Sequence, residues 1–122
     1  MGESVVIFGA GGIGLNIVQA AKLKTAYPII AVDIFNSRLD LAMKLGATHS
    51  INSKEVNTEK EIKKILGNNG LDVFIDNTGA AKVIETGYRI VKKDGRVVLV
   101  GVPHYKSMVG LNTLPLHFGK LL

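Results

Sequence analysis

Short, uninterrupted apolar runs alternate along the chain with stretches in which apolar residues recur every three or four positions. The runs are Val5–Phe8, Ile29–Val32, Val73–Ile75 and Arg96–Val100, with a weaker one at His49–Ile51. They are too short for helices, and such continuous apolarity belongs to strands buried on both faces of a parallel sheet. Between them the helical period returns. Leu15 to Lys24 reads as a first helix. Leu39, Ala42, Met43 and Leu45 then fall on one helical face, and Gly46 follows as a C-terminal stop. Thr58 and Glu61 are spaced as a capping box, ahead of a buried stripe of Ile62, Ile65 and Leu66 with Glu59 and Lys63 paired on the outside. Gly67-Asn68-Asn69-Gly70 ends that helix. A fourth runs from Ala80 to Val91 with Val83, Ile84, Ile90 and Val91 facing inward, and Lys93-Asp94-Gly95 turns into the last strand.

Alternation of this kind predicts an α/β fold: a Rossmann-type, doubly wound parallel sheet of five to six strands in an α/β/α sandwich, joined by right-handed crossovers. The 122 residues make a single domain spanning 1–122. The tail after Val102 breaks the pattern. Pro103 interrupts it, Met108 to Leu122 has no clean period, and Lys120-Leu121-Leu122 resembles the start of a sixth strand cut short. The expectation is a piece of a longer protein.

Composition narrows the partners. Cysteine is absent, which excludes a disulfide framework and a thiolate metal site. The net charge of +5 comes from 15 Lys+Arg against 10 Asp+Glu, and the lysines are scattered from Lys22 to Lys120 without a basic block. That is a solvated surface rather than a nucleic-acid footprint. Ser4 to Ala21 carries no charge, but Gly9, Gly11, Gly12 and Gly14, then Asn16 and Gln19, argue against a membrane span. No secretory signal is visible, so a cytoplasmic setting is expected, without a membrane partner. His49, His104 and His117 show no ligand spacing, and no nucleophile–base set stands out. No catalytic or metal-ligating residue is predicted.

The candidate chemistry lies where the first strand ends. Gly9, Gly11 and Gly14 fit G-x-G-x-x-G. Alone, that is a tight turn. Here a strand precedes it, a helix follows, and Asp33 ends the second strand nineteen residues after Gly14, as dinucleotide binding requires. Gly9 permits the turn, Gly11 lets backbone approach a pyrophosphate, and Gly14 lets the helix pack on the strand. Free N–H groups around Gly12 and Ile13 point at the phosphates. Asp33, acceptor-only when ionised, can take both ribose hydroxyls of NAD. A 2′-phosphate at about 4 Å would cost roughly 4 kcal/mol per charge pair at an effective dielectric near 20. Ile34 follows Asp33, where a cation would suit NADP better, so NAD is favoured. Arg38 either reaches the same ribose or is an exposed first-turn residue. Asp76-Asn77-Thr78-Gly79 and Val100-Gly101-Val102-Pro103 end strands on the same edge. They either offer groups to the nicotinamide half or are ordinary loops.

These residues together resemble the zinc-containing, medium-chain alcohol dehydrogenase family. The resemblance rests on Val6 to Gly14 followed by Ile30-Ala31-Val32-Asp33, on Leu45-Gly46-Ala47-Thr48 with Ile51-Asn52, on Asp76-Asn77-Thr78-Gly79, and on Lys93 to Pro103. It covers nearly the whole chain in the right order. It implies the NAD-binding domain of an alcohol or polyol dehydrogenase, with pyrophosphate contacts at Gly11 to Gly14 and ribose contacts at Asp33 and Arg38. It further implies cofactor-side contacts at Asn77, Thr78 and Gly79, and carboxamide contacts near Val100, Gly101 and Val102. Asn77 departs from the small or apolar residue usual there. The family's catalytic zinc is held by Cys and His of a separate domain, mostly before this segment, so zinc and hydride-transfer chemistry are expected in a parent polypeptide and not in this chain. The segment after Pro103 corresponds to part of a subunit interface, which implies a possible homodimer. A free-standing NAD-sensing regulatory domain, as in potassium transport systems, also fits the length, the glycine motif and Asp33, whereas Lys93 to Pro103 fits the dehydrogenase better. A scaffolding remnant is a third reading.

Overall fold

The computed structural model describes residues 2–113. In chain order the elements are β1 (Val5–Phe8), α1 (Gly12–Leu23), β2 (Ile29–Asp33), α2 (Asn36–Leu45), β3 (His49–Asn52), α3 (Thr58–Leu66), β4 (Leu71–Asp76), α4 (Ala81–Ile90) and β5 (Val91–Leu99). The five strands form one parallel sheet in the order β3-β2-β1-β4-β5. The chain works outward from β1 to β3, then crosses back to lay β4 on the other side of β1. That reversal leaves a crevice at the carboxyl ends of β1 and β4, because the helices on either side lead away from it. In register, Phe8 at the end of β1 lies between Val32 and Asp76.

Strand alternation divides the core in two. Val6, Ile30, Val32 and Phe74 point to the side covered by α3 and α4, where Ile62, Leu66 and Tyr88 meet them. Val5, Ile7, Ile29 and Ala31 point to the side of α1 and α2, against Val18, Leu39 and Ala42. Both faces of β1 and β2 are therefore covered, as their unbroken apolar runs require, whereas Val98 of β5 is exposed on the side of α1 and α2. Gly87 inside α4 has a packing reason: a Cβ there would run into the Phe74 ring. Tyr88 beside it is buried, with its hydroxyl donating to the Asn112 carbonyl at 2.6 Å. Among the described residues no helix is long and apolar enough to cross a membrane.

Several sequence expectations need correcting. Helix α3 is capped by Asn57, whose side chain accepts the Lys60 N–H at 3.0 Å, so Thr58 is already helical and forms no capping box with Glu61. Asn is as good an N-cap as Thr, and the competition between adjacent candidates is decided by where the stripe of Ile62 and Leu66 must face. Met43 is exposed rather than inward-facing, since α2 buries only the narrow stripe of Leu39 and Ala42. Val91 opens β5 instead of closing α4. The expected Lys93-Asp94-Gly95 turn sits as an outward loop within β5, where the register against β4 jumps from Leu71↔Val91 to Val73↔Arg96. Val100 lies just past the strand. The sixth-strand reading at Lys120-Leu121-Leu122 and the site reading of His117 lie outside the described residues.

Candidate functional site

The chain leaves β1 at Phe8 and turns at Gly9, whose φ of +107° lies in the region that L side chains avoid. Gly9 N–H donates to the Val32 carbonyl at 2.7 Å and Ala10 N–H to Asp33 Oδ2 at 2.8 Å, so β2 and its terminal acid hold the turn. Gly14 sits beneath it, and a Cβ there would overlap the Gly9 carbonyl oxygen. Those two glycines are demanded by the fold itself.

Gly11 and Gly12 are different. Neither has a positive φ, and a Cβ on either would meet nothing within 4 Å. Neither packing nor backbone conformation calls for glycine there. Gly11 is the N-cap of α1 and offers no capping side chain, and the first intrahelical bond runs from Leu15 N–H to the Gly11 carbonyl at 2.8 Å. The N–H groups of Gly12, Ile13 and Gly14 precede it and face the carboxyl edge at the positive end of the helix dipole.

A hollow of about 340 Å³ opens in front of this turn, lined by Phe8, Gly9, Gly11, Asp33, Ile34, Phe35, Arg38, Asn77 and Thr78. Asp33 is only 5% exposed, and its oxygens are already at work. Oδ1 accepts the N–H groups of Ile34 (2.6 Å) and Phe35 (3.1 Å), and Oδ2 accepts that of Ala10. A carboxylate has about four acceptor sites, which leaves one free, on Oδ2. Arg38 stands 3.6 Å from that oxygen, with its guanidinium 4.8 Å above the Phe35 ring. The expectation that Asp33 takes both ribose hydroxyls therefore narrows: its geometry leaves room for one.

Across the crevice, Asn77 Nδ2 reaches the Gly9 carbonyl at 3.4 Å and Asn77 N–H donates to the Phe8 carbonyl at 2.9 Å. Thr78 is at the rim, and Gly79, Val100, Gly101 and Val102 lie behind it at the ends of β4 and β5. Gly101 packs so closely on Thr78 and Gly79 that no side chain would fit. The structure thus gathers the predicted Gly9, Gly11, Asp33, Arg38, Asn77 and Thr78 around one hollow. Gly12 and Ile13 sit at the helix start beside it, Gly14 lies under the turn, and the β5 residues form a second tier. Sequence reasoning passed over Phe8, Ile34 and Phe35 as lining residues, and it placed Asp76 in a strand-end segment facing the nicotinamide half without a role for its side chain. Phe35 carried a signal, as a large aromatic residue just past the acid, and it is half exposed. Among the described residues no three His, Asp or Glu side chains gather as a metal site.

The chain matches the family described as zinc-binding dehydrogenase over residues 12–121. It is 41% identical over 113 residues to the L-threonine 3-dehydrogenase of Pyrococcus horikoshii, covering 93% of this chain and 32% of that protein. The crystal structure of an alcohol dehydrogenase zinc-binding domain protein from Burkholderia ambifaria superposes with a TM-score of 0.91 at 40% identity, over 99% of this chain and 32% of that one. A zinc-binding dehydrogenase from Sinorhizobium meliloti, bound to NADP, superposes with a TM-score of 0.88 at 30% identity, over 98% of this chain and 36% of that one. The chain spans about a third of the length of these relatives.

Proposed function

The chain belongs to the zinc-binding dehydrogenase family, and we propose that it holds NAD(H) across the carboxyl edge of its sheet for hydride exchange with an alcohol or carbonyl substrate. The observation that carries this reading is the unforced glycine pair. Gly11 and Gly12 face open space and need no special φ, so a bare backbone there serves something that approaches from outside. A pyrophosphate suits the site, because the α1 N–H groups donate to it and the helix dipole favours its charge.

The rest of the crevice sorts the dinucleotide by chemistry. Asp33 Oδ2 has one acceptor site for a ribose hydroxyl, and Arg38, held between Asp33 and the Phe35 ring, can donate to the neighbouring hydroxyl oxygen. Phe8, Ile34 and Phe35 give the adenosine half apolar surface. A 2′-phosphate would bring its charge against a buried carboxylate, and the cation nearby is already engaged with that carboxylate, so NAD is preferred to NADP. Bound nicotinamide supplies the hydride acceptor or donor. Asn77, Thr78, Gly79, Val100, Gly101 and Val102 wall the side of the crevice toward which that ring extends. In this reading the zinc ligands and the substrate-specific residues belong to other parts of a longer protein, which catalyses as an alcohol or polyol dehydrogenase. Homo-association through the segment after Pro103, beside the exposed Leu99 and Val102, belongs to the same reading.

Calorimetric titration of the chain with NADH, NADPH and ADP-ribose tests the proposal. NADH and ADP-ribose should bind, with NADPH weaker by at least about tenfold. No heat from either NADH or ADP-ribose at millimolar concentration would overturn it.

A further inference from the structure

We infer that Asp76 is a positioning residue for the nicotinamide half of the dinucleotide, an inference that rests on the NAD-binding reading above. Its carboxylate is fully buried at the end of β4. Oδ1 accepts both the N–H (2.8 Å) and the hydroxyl (2.6 Å) of Thr78, and Oδ2 accepts the Gly79 N–H at 2.9 Å. Its backbone carbonyl accepts the N–H groups of Val100 (2.8 Å) and Gly101 (3.0 Å). One residue thus fixes two loops, the β4–α4 turn and the exit from β5. The loops interlock tightly: a Cβ on Gly79 would strike the Val102 carbonyl, and one on Gly101 would strike the Gly79 nitrogen.

This knot is on the opposite side of the glycine turn from Asp33. The adenosine half has its polar partners on the β1–β2 side. A dinucleotide whose pyrophosphate rests on α1 must send its other half toward β4 and β5. The knot also touches the turn directly, through Asn77 N–H on the Phe8 carbonyl, and Thr78 Cγ2 lies 3.2 Å from where a Gly9 Cβ would be. Asp76 itself is out of the crevice and touches no ligand. It sets where Thr78, Gly79 and Val100 to Val102 stand.

The test compares NADH with ADP-ribose, which lacks the nicotinamide. In Asp76→Asn an amide NH2 replaces one acceptor oxygen, so either the Gly79 or the Thr78 N–H is left without a partner in a dry site. NADH affinity should fall about tenfold, while ADP-ribose affinity stays within about twofold and the nicotinamide fluorescence shift on binding is lost. Should D76N fail to fold, Thr78→Val keeps the shape, removes the hydroxyl that Asp76 and the Ala80 N–H meet, and should weaken NADH a few-fold more than ADP-ribose. Equal losses for both ligands, or no loss for either, would overturn the inference. So would a parent chain that binds ADP-ribose as tightly as NADH, and that result leaves the dinucleotide reading standing. A parent chain that binds neither ligand removes both.

Discussion

Both edges of the sheet carry a hollow and a carboxylate that ties loops together, yet they differ in which polar groups are left over. The amino-edge hollow is the larger, about 450 Å³ against about 340 Å³, and is lined by Gly2, Ser4, Tyr27, His49, Asp72 and Lys92 among others. Its polar groups at Ser4, Asp72 and Lys92 bond one another. Asp72 Oδ2 accepts the Ser4 N–H at 2.8 Å, Ser4 Oγ accepts the Asp72 N–H at 3.0 Å, and Lys92 pairs with the same carboxylate. At the carboxyl edge Asp33 and Asp76 are likewise saturated or nearly so, but the first N–H groups of α1 and two unforced glycines are left over. Volume does not mark a site. Unspent donors beside space that no side chain fills do, and a parallel sheet places such helix starts at the carboxyl edge alone.

The sharpest test of that contrast separates the two kinds of glycine. Gly14→Val should cost about 3 kcal/mol or more, since the side chain has to displace the Gly9 carbonyl and with it the turn. Chemical denaturation should show the loss, and ligand binding should vanish with the fold. Gly11→Asp should do the reverse. Aspartate is a better N-cap than glycine, and a Cβ at this position meets nothing within 4 Å, so stability should hold or rise by a few tenths of a kcal/mol. Its carboxylate would stand where the pyrophosphate belongs, and NADH affinity should fall by about 100-fold. If G11D binds NADH as well as the parent chain, the glycine pair is no cradle.

What could be read in advance follows the same division. β1 and β2 were legible to the residue at nearly every end, because a strand buried on both faces leaves an unbroken apolar run. The glycine turn and Asp33 were legible because their spacing is set by backbone geometry. Helix α3 was found, but its cap was misplaced by one residue, since Asn57 and Thr58 are equally able and only packing chooses. Phe35 and Ile34 were missed as lining residues because an exposed apolar residue in a loop has no periodicity to betray it. The segment from Asp76 to Gly79 was legible, but the role of the Asp76 side chain was not. Its importance is in the number of N–H groups that converge on it from two loops, and no local pattern reveals convergence from Gly79 and Gly101. Met43 shows the limit of helical periodicity, which names a face without saying how wide a stripe the neighbouring layer covers.

The amino edge yields smaller effects, and they should leave the ligand untouched. Asp72→Asn removes the charge that Lys92 and the Ser4 donors meet, and should cost about 1–2 kcal/mol in denaturation. NADH affinity should stay within about twofold, because the cluster lies at the far end of the strands. A large loss of NADH affinity in D72N would show that the two edges are coupled through β4, and the contrast between them would fail.

The smallest effect is a pH signature. Desolvation pushes the Asp72 carboxyl up, and the Lys92 ammonium and the two Ser4 donors outweigh it, so its pKa ends below 3.8. The Arg89 guanidinium, with Lys63 assisting, outweighs desolvation at Glu59 and holds that carboxyl below 4.5. A carboxylate depressed in the folded state contributes stability that is fully present above its unfolded pKa and is lost as pH falls through the folded one. Both contributions should therefore be intact at neutral pH and fade below about pH 4.5, where the unfolded carboxylates begin to take up protons first. Glu59 is partly exposed and its partners more so, so Glu59→Gln should cost only about 0.5 kcal/mol at neutral pH. By about pH 3 the gap between E59Q and the parent chain should narrow as the shared carboxylate is protonated. A gap that stays constant from neutral pH to about pH 3 would mean that Arg89 and Lys63 add nothing electrostatic at Glu59 and that the pair only packs.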